Sequence, residues 1–332
     1  MKIAFFEIEQ WEKKHLEEKF RKHNLLFFDK ELSEKNIEKV KDFDIVSIFV
    51  GSEINNKLVN KFKNLKAIIT RSTGYDHIDV KCCKKKKVLV LNTPYYGENT
   101  VAEFAFALIL ALSRKIVESV EKTKKRDFSL EGLRGFDLKD KTLGVVGMGE
   151  IGSHVVRIAK GFGMNVLVCT RTKHPKLAKR HGFKYATLDN LLKNSDIITM
   201  HVPLTKETNH LINKKNIKLV KRGAYLINTS RGEVVDTTAL IMALDKGILR
   251  GAGLDVLEEE ELFKEEKQLL SEGFSREKLF NVFENNILLN HSNVIITPHN
   301  AFNTQEALNR ILETTVNNIN SVIKGKARNV VK

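Results

Sequence analysis

The stretch KTLGVVGMGEIG, residues 141–152, decides how this chain is read. Its apolar run Leu143–Val146 reads as a buried strand that opens directly into Gly147-x-Gly149-x-x-Gly152. A helix-like stretch follows (Val155, Val156, Ile158, Ala159), then Gly161 and Gly163, then a second apolar run, Val166–Val168. Strand, glycine turn, helix and strand in that order are the context the fingerprint requires. The glycines serve a tight turn, a close backbone approach to a pyrophosphate, and close packing of helix on strand. The helix start offers unpaired N–H groups and a positive dipole end to the phosphates. The segment therefore reads as a dinucleotide-binding unit. Residues 1–140 precede it, enough for a domain of their own.

Composition sets the frame. The chain has 332 residues, 42% apolar and 29% charged, which suits two soluble globular domains. The opening MKIAFF is too short for a signal peptide and reads as a first strand. The longest apolar stretch, Phe104–Leu112, is far shorter than a membrane span, so no membrane partner is expected. Cys82, Cys83 and Cys169 form no ligand pattern; no metal is expected, and a reducing cytoplasm is the default. The net charge is +15, with a dense run at Lys81–Lys87 interrupted only by the two cysteines. That run has no interleaved aromatics, so it reads as solvated surface and not as a nucleic-acid site. An anionic substrate or cofactor would gain from the field.

Upstream of the fingerprint, strand and helix signals alternate. Ile3–Phe6, Leu25–Phe28, Ile45–Val50, Ala67–Thr70 and Lys87–Asn92 read as strands, with helices at Trp11–His23 and Asn55–Phe62. The TVAE pattern at residues 100–103 reads as a capping box opening an apolar helix through Leu112 and Arg114, a bridge between domains. Downstream, Val166–Cys169, Ile197–His201, Ala224–Asn228, Gly251–Val256 and Val294–Thr297 read as successive strands. Segment 258–293 reads as a partly helical insertion, and Thr304–Lys324 as a final helix.

In open α/β sheets, ligands sit at the carboxyl ends of the strands. Three strand ends beyond the glycine loop each lead to a reactive side chain: Arg231, Glu260 and His299. A guanidinium can grip a carboxylate and polarise a carbonyl. A histidine can protonate a forming alkoxide, and a neighbouring carboxylate favours its imidazolium form. Together the three suit reduction of a 2-keto acid, although spacing alone also fits surface or capping roles for each.

Six motifs in order give the chain a resemblance along essentially its whole length. They are RSTGYDHID (71–79), NTVAE (99–103), Gly147–Gly152, PLTKET (203–208), NTSRG (228–232) and TPH (297–299). With these the chain resembles the D-isomer-specific 2-hydroxyacid dehydrogenase family. YYGEN (95–99), the Glu258–Glu261 run, the insertion before Val294 and HNAF (299–302) look most like its D-lactate dehydrogenase branch.

The resemblance implies an α/β fold of two Rossmann-like, doubly wound parallel-sheet domains separated by a cleft. The substrate domain would be discontinuous, 1–98 and 299–332, with the dinucleotide domain at 99–298. His299 would be the general acid/base, Glu260 its charge-stabilising partner, and Arg231 the anchor for carbonyl and carboxylate. Thr73 and Gly74 would offer N–H groups to the carboxylate, and Tyr96 and Phe302 would line the pocket. The cofactor would be held by Gly147, Gly149, Glu150, Ile151 and Gly152, by His201, Val202, Pro203, Thr208 and Thr229, and by Asp255 at the nicotinamide carboxamide. A homodimer through the dinucleotide domain is implied as well.

The implied reaction is hydride transfer between NADP(H) or NAD(H) and a small 2-keto acid, pyruvate to D-lactate first. Glyoxylate or hydroxypyruvate reduction is the rival, and an NAD(H)-binding corepressor-like interaction protein is the alternative of another class. Cofactor choice turns on Thr170, Arg171 and Thr172. The family's common pattern has an aspartate where Thr170 stands, accepting the ribose hydroxyls. Its absence removes repulsion of a 2′-phosphate, and Arg171 and Thr172 could grip one, which favours NADP(H). The alternative is that Arg171 stacks on the adenine and both cofactors bind.

Overall fold

The computed structural model describes residues 1–260 and 276–331. The chain forms two compact units, Met1–Tyr96 with Thr304–Lys332, and Gly97–Asn303.

The first unit is a five-stranded sheet of β1 (Lys2–Phe5), β2 (Asn24–Phe27), β3 (Ile45–Ile48), β4 (Ala67–Thr70) and β5 (Leu89–Leu91). The order is β2-β1-β3-β4-β5, and every pairing is parallel. Both faces are covered, so the strands are apolar at consecutive positions rather than alternate ones. Ile3, Phe5, Ile45 and Ile69 pack with Leu16 and Phe20 of α1 (Gln10–Phe20) and with Leu312 and Ile319 of the last helix (Gln305–Ile323). Ala4, Phe6, Val46 and Ile68 face the other way, onto Leu58 and Val59 of α2 (Asn56–Lys61) and Cys83 of α3 (Val80–Lys85).

The second unit holds seven strands: β6 (Thr142–Val146), β7 (Asn165–Cys169), β8 (Lys184–Tyr185), β9 (Ile197–Met200), β10 (Ala224–Asn228), β11 (Leu249–Leu254) and β12 (Val294–Ile296). Their order is β12-β11-β10-β9-β6-β7-β8, again all parallel. Winding reverses between β6 and β9 here, and between β1 and β3 in the first unit. Both sheets are thus doubly wound and Rossmann-like, with a topological switch point where ligands bind in this architecture. Leu143, Val145, Ile197 and Ile227 face α4 (Glu98–Ser113) and α6 (Glu150–Gly161). Val146, Ile198, Leu226 and Leu254 bury the opposite face, with Leu240 of α9 (Thr237–Asp245) and Leu288 of α10 (Arg276–Leu289).

The elements depart from the sequence reading at a few places, each with a local cause. The strand expected through Val50 stops at Ile48, because the Glu7 carboxylate draws in the amides of Phe49 (2.9 Å) and Gly51 (2.8 Å) and turns the chain. Helix α4 starts at Glu98 with Gly97 as its N-cap, so Thr100 is not a cap but a buried residue inside the helix. This helix belongs to the core of the second unit through Ala105, Phe106, Leu108 and Leu112. Within segment 258–293, α10 supplies helix, while residues 261–275 lie outside the described ones. The two-residue β8 and the helices α3, α5 (Ile116–Lys124), α7 (Pro175–His181), α8 (Leu188–Asn194) and α9 have no named counterpart in the sequence reading. No helix among the described residues is long and apolar enough to cross a membrane.

Candidate active site

The glycine fingerprint lies at the carboxyl end of β6, at the switch point of the second sheet. Gly147 takes φ +101°, and a Cβ there would overlap the His201 carbonyl. A Cβ on Gly152 would overlap the Gly147 carbonyl, so the turn closes only with glycine at both ends. Gly149 is different. It is the N-cap of α6, and a Cβ built on it would meet nothing within 4 Å. That open approach leads to the helix start, where Glu150 and Ile151 form the first turn.

Two orphaned polar atoms mark the neighbouring strand ends. Nε2 of His201 is 2.8 Å from the Thr199 hydroxyl, whereas its Nδ1 is buried without a hydrogen-bond partner among the described residues. The Thr229 hydroxyl is buried in the same state. Met200 and Asn228 pair across β9 and β10, so His201 and Thr229 sit side by side one residue further on. Burial of the His201 ring pushes its pKa down to about 3, which keeps it neutral near pH 7. Unpaired buried groups beside an open helix N-terminus fit a dinucleotide, whose phosphate and ribose oxygens would satisfy them.

Around this point, the loop from Pro203 is closed by Thr208, which donates to the Pro203 carbonyl at 2.5 Å and accepts from the Thr205 amide at 2.8 Å. The Thr208 hydroxyl therefore shapes the loop from within; Val202, leading into it, packs against the core. Beyond β7, Thr170 is half-buried while Arg171 and Thr172 are exposed. Glu207 is held below the usual carboxylate range, first by the Thr205 hydroxyl and further by the Arg171 charge.

The three side chains expected to react, Arg231, Glu260 and His299, follow β10, β11 and β12. After β10, Asn228 donates to the Arg231 carbonyl (2.8 Å) and accepts from the Ser230 amide (3.1 Å) and hydroxyl (2.8 Å), which fixes the loop. Arg231 donates through Nη1 to the Ser230 carbonyl at 2.8 Å. The next residue, Gly232, lies so close to the Leu257–Glu258 backbone that any Cβ would collide with it. The Arg231 loop and the segment leading to Glu260 are thereby laid directly on each other. His299 Nδ1 is 2.6 Å from Glu260 Oε1, and each side chain is 23% exposed. The Phe302 ring meets the His299 imidazole edge-on, 6.4 Å between centroids.

Asp255 organises the His299 turn. It is 1% exposed, and its carboxylate accepts from the Thr297 hydroxyl (2.5 Å) and from the amides of Asn300 (2.8 Å) and Ala301 (2.8 Å). Burial pushes its pKa up, and these hydrogen bonds oppose the rise. The same turn lets His299 adopt φ +51° while its amide bonds the Asp255 carbonyl at 2.9 Å. Residues 299–303 consequently belong to the second compact unit.

Thr73, Gly74 and Tyr96, which the resemblance assigns to substrate binding, lie in the first unit, after β4 and β5. Ser72, Thr73 and Gly74 have their carbonyls tied to the Thr93 amide (3.0 Å), the Asn92 side chain (2.8 Å) and the Ser72 hydroxyl (2.6 Å), respectively. Buried Arg71 anchors that loop from beneath, donating to the Phe6 carbonyl at 2.9 Å and the Glu7 carbonyl at 2.5 Å. Tyr96 is half-buried, and its carbonyl accepts from Arg310 Nε at 2.7 Å.

Comparison with known proteins places this arrangement. Residues 106–301 match the model of the D-isomer specific 2-hydroxyacid dehydrogenase, NAD binding domain. The chain belongs to this family. It is 39% identical to a glyoxylate reductase of Thermococcus litoralis, over 87% of this chain and 83% of that one. It is 35% identical to the D-lactate dehydrogenase of Escherichia coli, over 98% of both chains. The D-lactate dehydrogenase of Aquifex aeolicus, solved with NAD and lactic acid, superposes with a TM-score of 0.89 at 40% identity, covering 98% of this chain and 96% of that one.

For this member of the 2-hydroxyacid dehydrogenase family, the sequence reading missed one layer of the site. It named Glu260 and His299 but gave no role to Glu258, His210 or Thr237, which bond one another behind them. Only the offset of two residues between Glu258 and Glu260, inside one acidic run, hints at it in the sequence. No group of three or more His, Cys, Asp or Glu among the described residues could hold a metal ion.

Proposed function

We propose that this protein reduces a small 2-keto acid to the D-2-hydroxy acid with a nicotinamide dinucleotide, pyruvate to D-lactate foremost. The observation that carries the reading is the His299–Glu260 pair, 2.6 Å apart, on the carboxyl edge of a dinucleotide-binding sheet. A carboxylate can only accept, so Nδ1 of His299 carries the proton and Nε2 is the nitrogen turned to chemistry. Glu260 favours the imidazolium, which protonates the carbonyl oxygen from Nε2 and is left neutral. Arg231 pairs with the substrate carboxylate and polarises the carbonyl, a task suited to a planar fork of donors. In the first unit, the tied carbonyls of residues 72–74 leave the Thr73 and Gly74 amides as carboxylate donors, with Tyr96 limiting side-chain size. Phe302, edge-on to His299, lines the pocket with Tyr96. A bound nicotinamide supplies the hydride, its dinucleotide held by Gly149, Glu150, Ile151, His201 and Thr229, with Asp255 toward the carboxamide.

Glyoxylate or hydroxypyruvate is the second reading of the substrate, supported by the 39% identity to the Thermococcus litoralis glyoxylate reductase. For the cofactor, we infer that NADP(H) is accepted alongside or ahead of NAD(H), since no acid occupies position 170 and Arg171 is exposed next to it. A homodimer is inferred through α5 and the loop after it, which present Ile116, Val117 and Val120, with Phe128 and Leu130 77% and 84% exposed. The three unpaired cysteines support a reducing, cytoplasmic setting.

Initial rates of NADH and NADPH oxidation with pyruvate, glyoxylate, hydroxypyruvate, oxaloacetate and phenylpyruvate test the reading. Fast turnover of pyruvate is expected. Turnover confined to glyoxylate and hydroxypyruvate would select the second reading, and no turnover with bound cofactor would end both.

A further inference from the structure

Two residues before Glu260, a second carboxylate is held in a wholly different way. Glu258 is 7% exposed. Its Oε1 is 2.6 Å from His210 Nε2, and its Oε2 accepts from the Thr237 amide at 2.9 Å and from the Thr237 hydroxyl. Its carbonyl accepts from the side chain of fully buried Asn285 at 2.8 Å. Three elements thus grip one residue: the loop after β9, the first turn of α9, and α10. On the opposite side, the Gly232 backbone presses on Leu257 and Glu258 with no room for a side chain. Glu259 then takes φ +53°, and the Glu260 carboxylate turns back toward the Leu257 amide (3.4 Å) and His299 (2.6 Å).

Stability alone does not call for a charge here. Burying a carboxylate costs desolvation that its hydrogen bonds must offset, and His210, the partner on one side, is itself exposed. Helix α9 already has its N-cap, Asp236, accepting from the Ala239 amide at 3.0 Å. A further buried acid, Glu284 on α10, is pushed to a raised pKa by burial, with the charges of Asp236 and Glu258 adding to the rise. What the charge at 258 does accomplish is geometric. Charge-assisted hydrogen bonds from two directions fix the turn from which Glu260 projects.

We propose that Glu258, clamped by His210 and Thr237, is the positioning residue that aims Glu260 at His299 and seats the Arg231 loop against it. This rests on the reading of His299 and Glu260 as the proton-transfer pair. Glu258 touches no reacting atom; it acts through the turn at Leu257–Glu260.

The test uses E258Q, H210A and H210Q in the full chain, with E260Q and H299N as controls. The primary readout is the downfield Nδ1–H proton resonance of His299, identified by its loss in H299N, which reports the bond to Glu260 without any turnover. In E258Q this resonance moves upfield or broadens away, and kcat for keto-acid reduction falls at least tenfold. NADH affinity stays within about twofold. H210A goes the same way to a smaller extent, and H210Q recovers most of that loss because its amide can donate to Glu258 as the imidazole does. An unchanged His299 resonance in folded E258Q and H210A overturns the proposal, as does a loss confined to thermal stability. Should E260Q leave kcat unchanged while the resonance still responds to E258Q, the catalytic reading fails and the positioning role stands.

Discussion

Nδ1 of His299 stands 2.6 Å from Oε1 of Glu260, and the turn carrying the histidine is folded around the buried carboxylate of Asp255. The acid beside the histidine and the carboxylate that shapes its turn thus both follow β11, while the histidine itself follows β12. His299→Ala is expected to lower turnover by about 10²- to 10⁴-fold, the range of general acid catalysis, with NADH affinity nearly unchanged. Fluorescence titration of NADH beside steady-state rates separates the two effects. Retained turnover would remove His299 from the proton-transfer role.

Arg231→Lys keeps the charge and loses the fork. Both KM for the keto acid and kcat are expected to worsen, with kcat/KM down on the order of tenfold to a hundredfold, as for a lost charge-assisted hydrogen bond. Wild-type kinetics in this variant would place the carboxylate anchor elsewhere.

Gly232→Ala puts a methyl group into the Leu257–Glu258 backbone. The overlap is with main chain, which cannot swing aside, so the loop must shift. A destabilisation of about 1–3 kcal/mol is expected, the cost typical of overpacking, together with a drop in kcat per folded molecule. Denaturant melts and active-site titration measure the two separately. A neutral variant would show that the two loops are not rigidly stacked.

Thr170→Asp restores an acid at the end of β7, where a carboxylate would bond the ribose hydroxyls and repel a 2′-phosphate. The ratio of kcat/KM for NADPH over that for NADH is expected to fall about tenfold or more. An unchanged ratio would move cofactor selection away from the Thr170–Thr172 corner.

His201 gives the fold a pH signature. Its folded pKa, about 3, lies below the ordinary value of 6.5, so the unfolded chain takes up the proton first. This contribution to stability is complete above pH 6.5 and is lost as pH falls from there toward 3, at no more than about 1.4 kcal/mol per pH unit. His201→Asn is expected to flatten that part of the stability profile in urea melts at pH 7, 6 and 5. Parallel profiles for the two proteins would refute a buried neutral imidazole.

The sheets were legible because covered parallel strands such as Ile45–Ile48 and Ile197–Met200 are continuous apolar runs between polar turns. The glycine turn was legible because its backbone leaves no alternative to glycine at Gly147 and Gly152. Thr100 misled because TVAE satisfies a capping pattern locally, while the N-cap lies three residues earlier, at the chain's turn at Gly97. Arg231, Glu260 and His299 could be named because they follow strand ends. The clamp of His210, Thr237 and Asn285 on Glu258 could not, since its members are scattered over three elements and meet only in the folded chain. Asp255 was given a ligand role by resemblance, and its three bonds into the 297–301 turn became apparent only with the backbone in place.

The most direct measurement is the configuration of the alcohol formed when the protein consumes pyruvate with excess NADH or NADPH, resolved by chiral chromatography. D-lactate as the sole product, lost with His299→Ala, is the expected result. L-lactate, a racemate, or no lactate from protein that binds the cofactor would contradict D-specific keto-acid reduction at this site.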